Sequence, residues 1–236
     1  MVEPTARFEQ VRIPLREPIH GLEAVPATLG VPEWWPTGAR VGVVLAHGGQ
    51  RQDPLLEFLQ QQLTERKYLT LRFVFPFAEA EKKRPDSDDV LLRVFRAAVA
   101  FVHNDPTAAP AHLFIGGKNA GASAAVHAAT ARTRVDGLFL LGYPLHKQDD
   151  PGSVQADQRL YRVVNPILFL TGTRDRHCDI ETLRRVRLRV GAPTEIHPVV
   201  EADHQFRVRK SERDPEDLQR EVLAVLDQWM RKVIGE

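Results

Sequence analysis

One stretch constrains the fold more than any other. An apolar run from His112 to Ile115 leads into Gly116-Gly117-Lys118-Asn119-Ala120-Gly121, followed by the small-residue segment Ala122-Ser123-Ala124-Ala125-Val126. This reads as a strand, a sharp turn and a helix ending near Thr130. Gly117 and Gly121 flank the turn and let neighbouring backbones crowd against it, so Asn119 at its centre can be held in a strained conformation.

The rest of the chain supplies a sheet for that strand. Phe8 to Leu15 alternates apolar and polar residues, as an edge strand with one wet face does, and Leu22 to Thr28 is its candidate partner. Trp34, Trp35 and Pro36 then interrupt the pattern. Val41 to Ala46, Gly137 to Gly142 and Pro166 to Thr171 are unbroken apolar runs that suit strands buried on both faces. Tyr68 to Phe75 and Glu195 to Val200 are further strands.

Helices are expected between them. One opens at Pro54, with Leu55, Leu56, Phe58, Leu59 and Leu63 on its apolar stripe. Another runs from about Asp88 to Asn104, capped by Asp88 or Asp89, and a third covers Ile180 to Val190. The last spans about Pro215 to Val233, with Leu218, Val222, Val225, Leu226, Trp229 and Val233 at helical spacing. Pro76 to Asp86 reads as a loop rich in proline and charge, and a short helix follows Gly152. Strands alternating with helices imply an α/β fold: a mainly parallel central sheet covered on both faces, with any site at the carboxyl ends of the strands. Residues 1–236 read as a single domain in which 1–40 form antiparallel edge strands.

Composition excludes several function classes. The 32 basic and 31 acidic residues nearly cancel, so no global field favours nucleic acid or an anionic membrane. No apolar run approaches the ~18 residues of a membrane span. The single cysteine, Cys178, rules out an internal disulfide, and Met1-Val2-Glu3-Pro4 lacks a signal-peptide pattern, so a cytoplasmic location is expected. Metal binding has no support, since neither an HxH nor an HExxH spacing occurs. Gly116 to Gly121 matches neither the Walker spacing nor G-x-G-x-x-G, so no cofactor is expected.

Three strand exits carry polar residues in a telling order: Asn119, then Asp175 in Gly172-Thr173-Arg174-Asp175, then His204 in Asp203-His204. Nucleophile, acid, histidine is the order of a hydrolytic triad on an α/β sheet, and Gly117 to Gly121 has the form of a nucleophile elbow, G-x-S-x-G, with asparagine in the serine position. In a working triad the histidine takes the nucleophile's proton, the carboxylate orients the imidazole, and backbone N–H groups hold the oxyanion. The expected donors are Ala120 and the loop at Gly49 and Gln50. Taken singly these residues have plainer explanations. Asp175 suits an N-cap or turn, His47 suits a structural role in its loop, and Cys178 suits burial. Ser123 lies one helical turn beyond the elbow and is better explained by helix packing. The arginines at 184, 185, 187 and 189, and the run Arg207 to Arg213, read as solvated faces.

Taken together, Leu45-Ala46-His47-Gly48-Gly49, Arg72-Phe73-Val74-Phe75-Pro76-Phe77, Gly116 to Gly121, Leu141-Gly142-Tyr143-Pro144-Leu145-His146, Gly172 to Asp175 and Asp203-His204 resemble the α/β-hydrolase superfamily. Within it the chain is similar to the dienelactone-hydrolase-like branch of small proteins that includes the KANL/Tex type. The resemblance implies an α/β-hydrolase fold, esterase-like ancestry, and catalytic positions at Asp175 and His204. It implies serine where this chain has Asn119, and usually a residue larger than Ala120.

A carboxamide nitrogen has its lone pair delocalised into the carbonyl and is a very poor nucleophile, so ordinary acyl-enzyme chemistry is not expected. Three readings remain open. The first is a hydrolase-fold protein that retains a ligand or interaction site, for a small acyl or ester-like molecule or for a protein partner. In the second, His204 and Asp175 activate water, or a modified Asn119 serves as a carboxylate. In the third, the chain is a substituted form of a true serine hydrolase. Lys147 to Val163 is the only candidate for a lid, so no large lid is expected.

Overall fold

A computed structural model describes residues 6–33, 35, 39–105, 109–154, 159–209 and 213–236. Its strands form one eight-stranded sheet in the order β1-β2-β4-β3-β5-β6-β7-β8. These are β1 (Arg7–Ile19), β2 (Leu22–Val31), β3 (Val41–Ala46), β4 (Leu69–Phe73), β5 (His112–Lys118), β6 (Gly137–Leu141), β7 (Ile167–Gly172) and β8 (Thr194–Val199). From β4 across to β8 every pairing is parallel, whereas β1 pairs with β2, and β2 with β4, antiparallel. The amino-terminal pair therefore forms one edge, as the alternation in Phe8 to Leu15 predicts. The proposed interruption at Trp34 and Pro36 lies outside the described residues.

Helices α1 (Pro54–Glu65), α2 (Pro76–Glu79), α3 (Asp88–His103), α4 (Ala120–Thr130), α5 (Ile180–Arg187) and α6 (Pro215–Ile234) connect and cover the strands. Their ends are set by local chemistry. Asp53, Asp179 and Asp214 each accept a backbone N–H of the first turn, from Leu56, Thr182 and Glu216, and Gly235 closes α6 in the left-handed conformation at φ 83°. One sheet face packs Val94, Phe95, Ala98 and Val102 of α3, and much of α4, against Val44, Leu71 and Phe73. The other packs Leu56, Leu59 and Leu63 of α1 and Leu218, Val222, Leu226 and Trp229 of α6 against Val43, Leu45, Phe114 and Phe139. Each such leucine or phenylalanine contributes about 1.5–3 kcal/mol on burial, so both layers are needed to hold the sheet.

Four expectations are corrected. Pro76 to Asp86 is not all loop, because Pro76 occupies the first turn of α2 while Phe75 before it stays extended, the conformation a following proline favours. The N-cap of α3 is Ser87, which leaves Asp88 and Asp89 inside the first turn, where carboxylates complement the helix dipole. Strand β5 continues through Gly116, Gly117 and Lys118, so the turn is confined to Asn119. A side chain at Gly116 would meet the Phe139 carbonyl at 2.1 Å, and this glycine therefore serves strand packing rather than a turn. In the stretch after Gly152, the described residues form only short 3-10 turns, Pro151–Ser153 and Leu160–Arg162, in place of the expected short helix.

The elbow is where β3, β5 and α4 converge. A Cβ on Gly117 would lie 2.5 Å from the Ala46 carbonyl oxygen, and one on Gly121 would lie 2.5 Å from that oxygen and 2.9 Å from the His47 carbonyl oxygen. These obstacles are backbone atoms with little freedom to move. Gly121→Ala is therefore expected to cost at least the ~1–3 kcal/mol typical of overpacking, measured by urea unfolding. Gly191→Ala, where a Cβ meets nothing within 4 Å, is the control and is expected to be neutral.

Candidate functional site

Asn119 has φ 51° and ψ −111°, a conformation that side-chain-bearing residues rarely hold. Its backbone N–H donates to the Leu141 carbonyl at 3.0 Å, and its carbonyl accepts from Ser123 at 3.2 Å, which ties the elbow to the end of β6 and the first turn of α4. Gly48 makes the close approach from the β3 loop, since a Cβ there would be 2.7 Å from the Lys118 carbonyl oxygen and 3.3 Å from the Asn119 Cβ. Gly49 and Gln50 follow in the same loop, and Ala120 opens α4 directly after the elbow.

Asp175 and His204 are brought to this end of the sheet by two loops zipped together. Thr173 N–H donates to the Val199 carbonyl at 3.0 Å, Arg174 N–H to the Ala202 carbonyl at 2.9 Å, and Glu201 N–H to the Thr173 hydroxyl at 2.9 Å. Gly172 permits the contact, because a Cβ there would be 2.2 Å from the Ala202 carbonyl oxygen. Asp203 is a loop organiser rather than a solvated residue: its Oδ1 accepts from the backbone of Gln205 at 2.8 Å and of Arg207 at 2.9 Å. Glu201 and Phe206 both have positive φ, at 64° and 58°, so the loop carrying His204 is tightly wound.

The carboxamide of Asn119 is fully engaged. With the amide orientation assigned so that its nitrogen faces acceptors and its oxygen a donor, the nitrogen donates to the carbonyl oxygens of Gly142, at 3.1 Å, and of His204, at 3.2 Å, and the oxygen accepts from Gln205 Nε2 at 3.0 Å. The side chain in the nucleophile position thus joins the exit of β6 to the exit of β8. Gly142, at φ 57°, leaves the space, since a Cβ there would be 3.2 Å from the Asn119 carboxamide and 3.0 Å from the His204 carbonyl oxygen.

The acid and the histidine are near each other without being hydrogen-bonded. Asp175 Oδ1 accepts from His177 N–H at 2.8 Å, as a turn residue would, while its buried Oδ2 has no hydrogen-bond partner. Burial raises the Asp175 pKa above the usual carboxylate range, against the opposing pull of the His177 N–H and of His204. The His204 ring lies edge-on to His177, with centroids 5.1 Å apart. Cys178 beside them is buried, and desolvation pushes its thiol up to about 12, so it is inert at neutral pH. Among the described residues no group of three or more His, Cys, Asp or Glu is placed to hold a metal ion.

A second polar layer lies beneath the β3 loop. His47 is fully buried between the Gln50 carbonyl, 3.0 Å from Nδ1, and an Arg72 guanidinium nitrogen, 2.9 Å from Nε2. Arginine can only donate, so Nε2 accepts and Nδ1 carries the proton. Burial, reinforced by Arg72, lowers the His47 pKa to about 4. Lys118 is buried as well and donates to Asp53 Oδ2 at 2.5 Å, while the other oxygen of that carboxylate caps α1. The residue preceding the elbow is thereby linked to the end of the β3 loop. Next to this loop opens a cleft of about 780 Å³ lined by Gln50, Arg51, Glu57, Arg72 and Glu79 among others. Its charges are balanced, with Arg51 3.2 Å from Glu79 and Arg72 3.5 Å from Glu57.

Sequence reasoning named Asn119, Asp175, His204, Ala120, Gly49, Gln50, Gly117 and Gly121, and the structure gathers them at one end of the sheet. It did not single out Gln205, His177, Gly48 or the Lys118–Asp53 pair. Gln205 adjoins the Asp203-His204 motif, and Lys118 stands inside the elbow motif as a cation in an otherwise apolar strand; those were the available signals.

Two measurements check this geometry. Asn119→Asp keeps the shape but replaces the donating nitrogen with an oxygen facing two carbonyls, and is expected to lower stability by about 1–3 kcal/mol at pH 7.5. Because the folded protein holds His47 neutral while the unfolded chain protonates near pH 6.5, stability falls as pH drops from about 6.5 to 4, by about 3 kcal/mol from this group. His47→Gln, compared with the parent by urea unfolding at pH 7.5 and pH 4, is expected to remove that component of the difference.

Comparison with known proteins agrees with this architecture. Residues 39–231 match a family model described as an alpha/beta hydrolase domain. Among solved structures, a dienelactone hydrolase from Anabaena variabilis superposes with a TM-score of 0.73 at 17% identity, covering 97% of this chain and 99% of that one. An α/β serine hydrolase without a lid from Xanthomonas campestris gives 0.68 at 19% identity, covering 96% and 98%. Est1E from Butyrivibrio proteoclasticus, bound to ferulic acid, gives 0.72 at 14% identity, covering 96% and 100%. With this eight-stranded sheet and a family match over residues 39–231, the chain belongs to the α/β-hydrolase family.

Proposed function

We propose that this protein has given up acyl-enzyme chemistry and uses the strand-exit site to bind a small, uncharged acyl or ester-like ligand. The observation that carries this reading is the engagement of the Asn119 carboxamide by Gly142, His204 and Gln205. A group whose nitrogen is spent on two carbonyls has neither the electron pair nor the freedom to attack a substrate. The Asp175 oxygen without a partner supports the same view, because it does not orient the His204 ring as a triad carboxylate does. It also weighs against water activation by His204 and Asp175.

The ligand class follows from the surroundings. The Ala120 N–H and the Gly49–Gln50 loop take the place of oxyanion donors for a carbonyl oxygen, and the cleft beside that loop, which shares Gln50 with the site but none of Asn119, Asp175 or His204, offers hydrogen-bonding groups with balanced charge. That favours a neutral polar body over a strong anion. The esterase and dienelactone hydrolase neighbours are consistent with an acyl ligand. A cytoplasmic location is part of this proposal, supported by a sequence whose single cysteine is free.

Fluorophosphonate labelling tests the proposal. The parent protein is expected to remain unlabelled and to accelerate short-chain aryl ester hydrolysis by no more than the ~10³- to 10⁴-fold that oxyanion donors and binding supply without a nucleophile. Asn119→Ser is expected to label slowly, since it regains a hydroxyl but inherits an unconnected Asp175 and His204. Labelling of the parent at any serine, Ser123 included, would overturn the reading, as would a burst of acyl-enzyme.

A further inference from the structure

A second cavity, of about 470 Å³, lies away from the elbow, between the β6–β7 connection and α5. It is lined by Pro151, Gly152 and Val154 on one side and by Thr182, Arg185, Val186 and Arg189 on the other, with Tyr161 between them. Its volume falls within the ~300–1,000 Å³ range of small-molecule sites. Among the described residues no acidic side chain lines it, in contrast to the charge-balanced cleft beside Gln50.

The two guanidiniums are placed and unspent. Arg189 stacks over the Tyr161 ring, 4.6 Å from its centroid, and Arg185 donates to the Thr182 hydroxyl at 2.8 Å. Neither forms an ion pair with a carboxylate among the described residues. The nearest candidate, Asp179, feels the charge of Arg185 but is committed to capping α5 through the Thr182 N–H. By contrast, Arg184 pairs with Glu181 and Arg176 with Asp149. The Tyr161 hydroxyl is shielded from solvent and has no hydrogen-bond partner. An oxyanion that draws Arg189 off the ring face would open a route to that hydroxyl.

From the two unpaired guanidiniums, the described lining without an acidic side chain and the unpartnered phenol, we infer that this cavity is a binding site for a phosphate monoester carrying a small apolar body. Arg185 and Arg189 take the phosphate oxygens, a geometry that suits the planar, forked donors of arginine. The dianion present at pH 7.5 matches the two positive charges. Val154, Val186 and the Tyr161 ring receive the apolar part. The site is independent of the elbow.

Calorimetric titration of the full-length protein with phenyl phosphate, at fixed ionic strength and pH 7.5, tests this. Saturable binding is expected, weakened about 10- to 100-fold by Arg185→Gln or Arg189→Gln and unchanged by His204→Ala. Tyr161→Phe is expected to weaken binding severalfold while leaving thermal stability equal or higher. Circular dichroism confirms that each variant is folded. Absence of binding at millimolar phenyl phosphate would overturn the inference. So would arginine variants that bind like the parent, or benzoate binding as tightly as phenyl phosphate. Loss of binding in His204→Ala would assign the ligand to the elbow instead and overturn it too.

Discussion

The tightest constraint in the molecule is a backbone crossing. The carbonyl end of β3 passes so close to the turn between β5 and α4 that only glycine fits at 117 and 121, and Gly48 answers from the opposite loop. That proximity lets one residue, Asn119, be held at positive φ at the rim of a parallel sheet, with an N–H-bearing loop on one side and a helix amino terminus on the other. Core packing on the two faces sustains the arrangement, since α1 anchors the β3 loop and α4 anchors the turn.

Around this crossing the polar groups divide into two layers with different duties. Below the loop, buried His47 is paired with the partly exposed Arg72 and buried Lys118 with buried Asp53, and these pairs fix the position of the backbone. A buried ion pair of this kind adds little net stability over an apolar substitute, yet losing one member leaves an uncompensated charge. Above the loop, Asn119, Gly142, His204 and Gln205 form a closed set of hydrogen bonds, while the second oxygen of Asp175 is left without a partner. The proposed loss of acyl transfer rests on the upper layer.

Much of this was legible in the sequence, and the reasons are physical. The all-apolar runs at Val41, Gly137 and Pro166 could only be strands covered on both sides, so the sheet and its layers followed from periodicity. The order of Asn119, Asp175 and His204 along the chain, each at a strand exit, located the site. What sequence could not supply was direction. Whether the Asn119 amide turns toward an imidazole or toward backbone carbonyls depends on loops whose path is set by positive-φ residues such as Glu201 and Phe206, which carry no glycine to announce them. The buried Lys118–Asp53 contact spans 65 positions and leaves no local pattern. Gly116 adjoins the turn in sequence, but what requires glycine there is the Phe139 carbonyl on the neighbouring strand.

The carboxamide at 119 also bears on how such a chain changes over evolutionary time. A reactive side chain at a strained turn is ordinarily a burden on the fold, tolerated for its chemistry. Here the same position fastens two loops together, so the residue contributes to the integrity of the scaffold. Once the loops from β6 and β8 are held in this way, the contact that would orient His204 through Asp175 is no longer required by the fold, and neighbouring side chains are free to drift. Serine at this one position would remove the fastening without connecting Asp175 to His204.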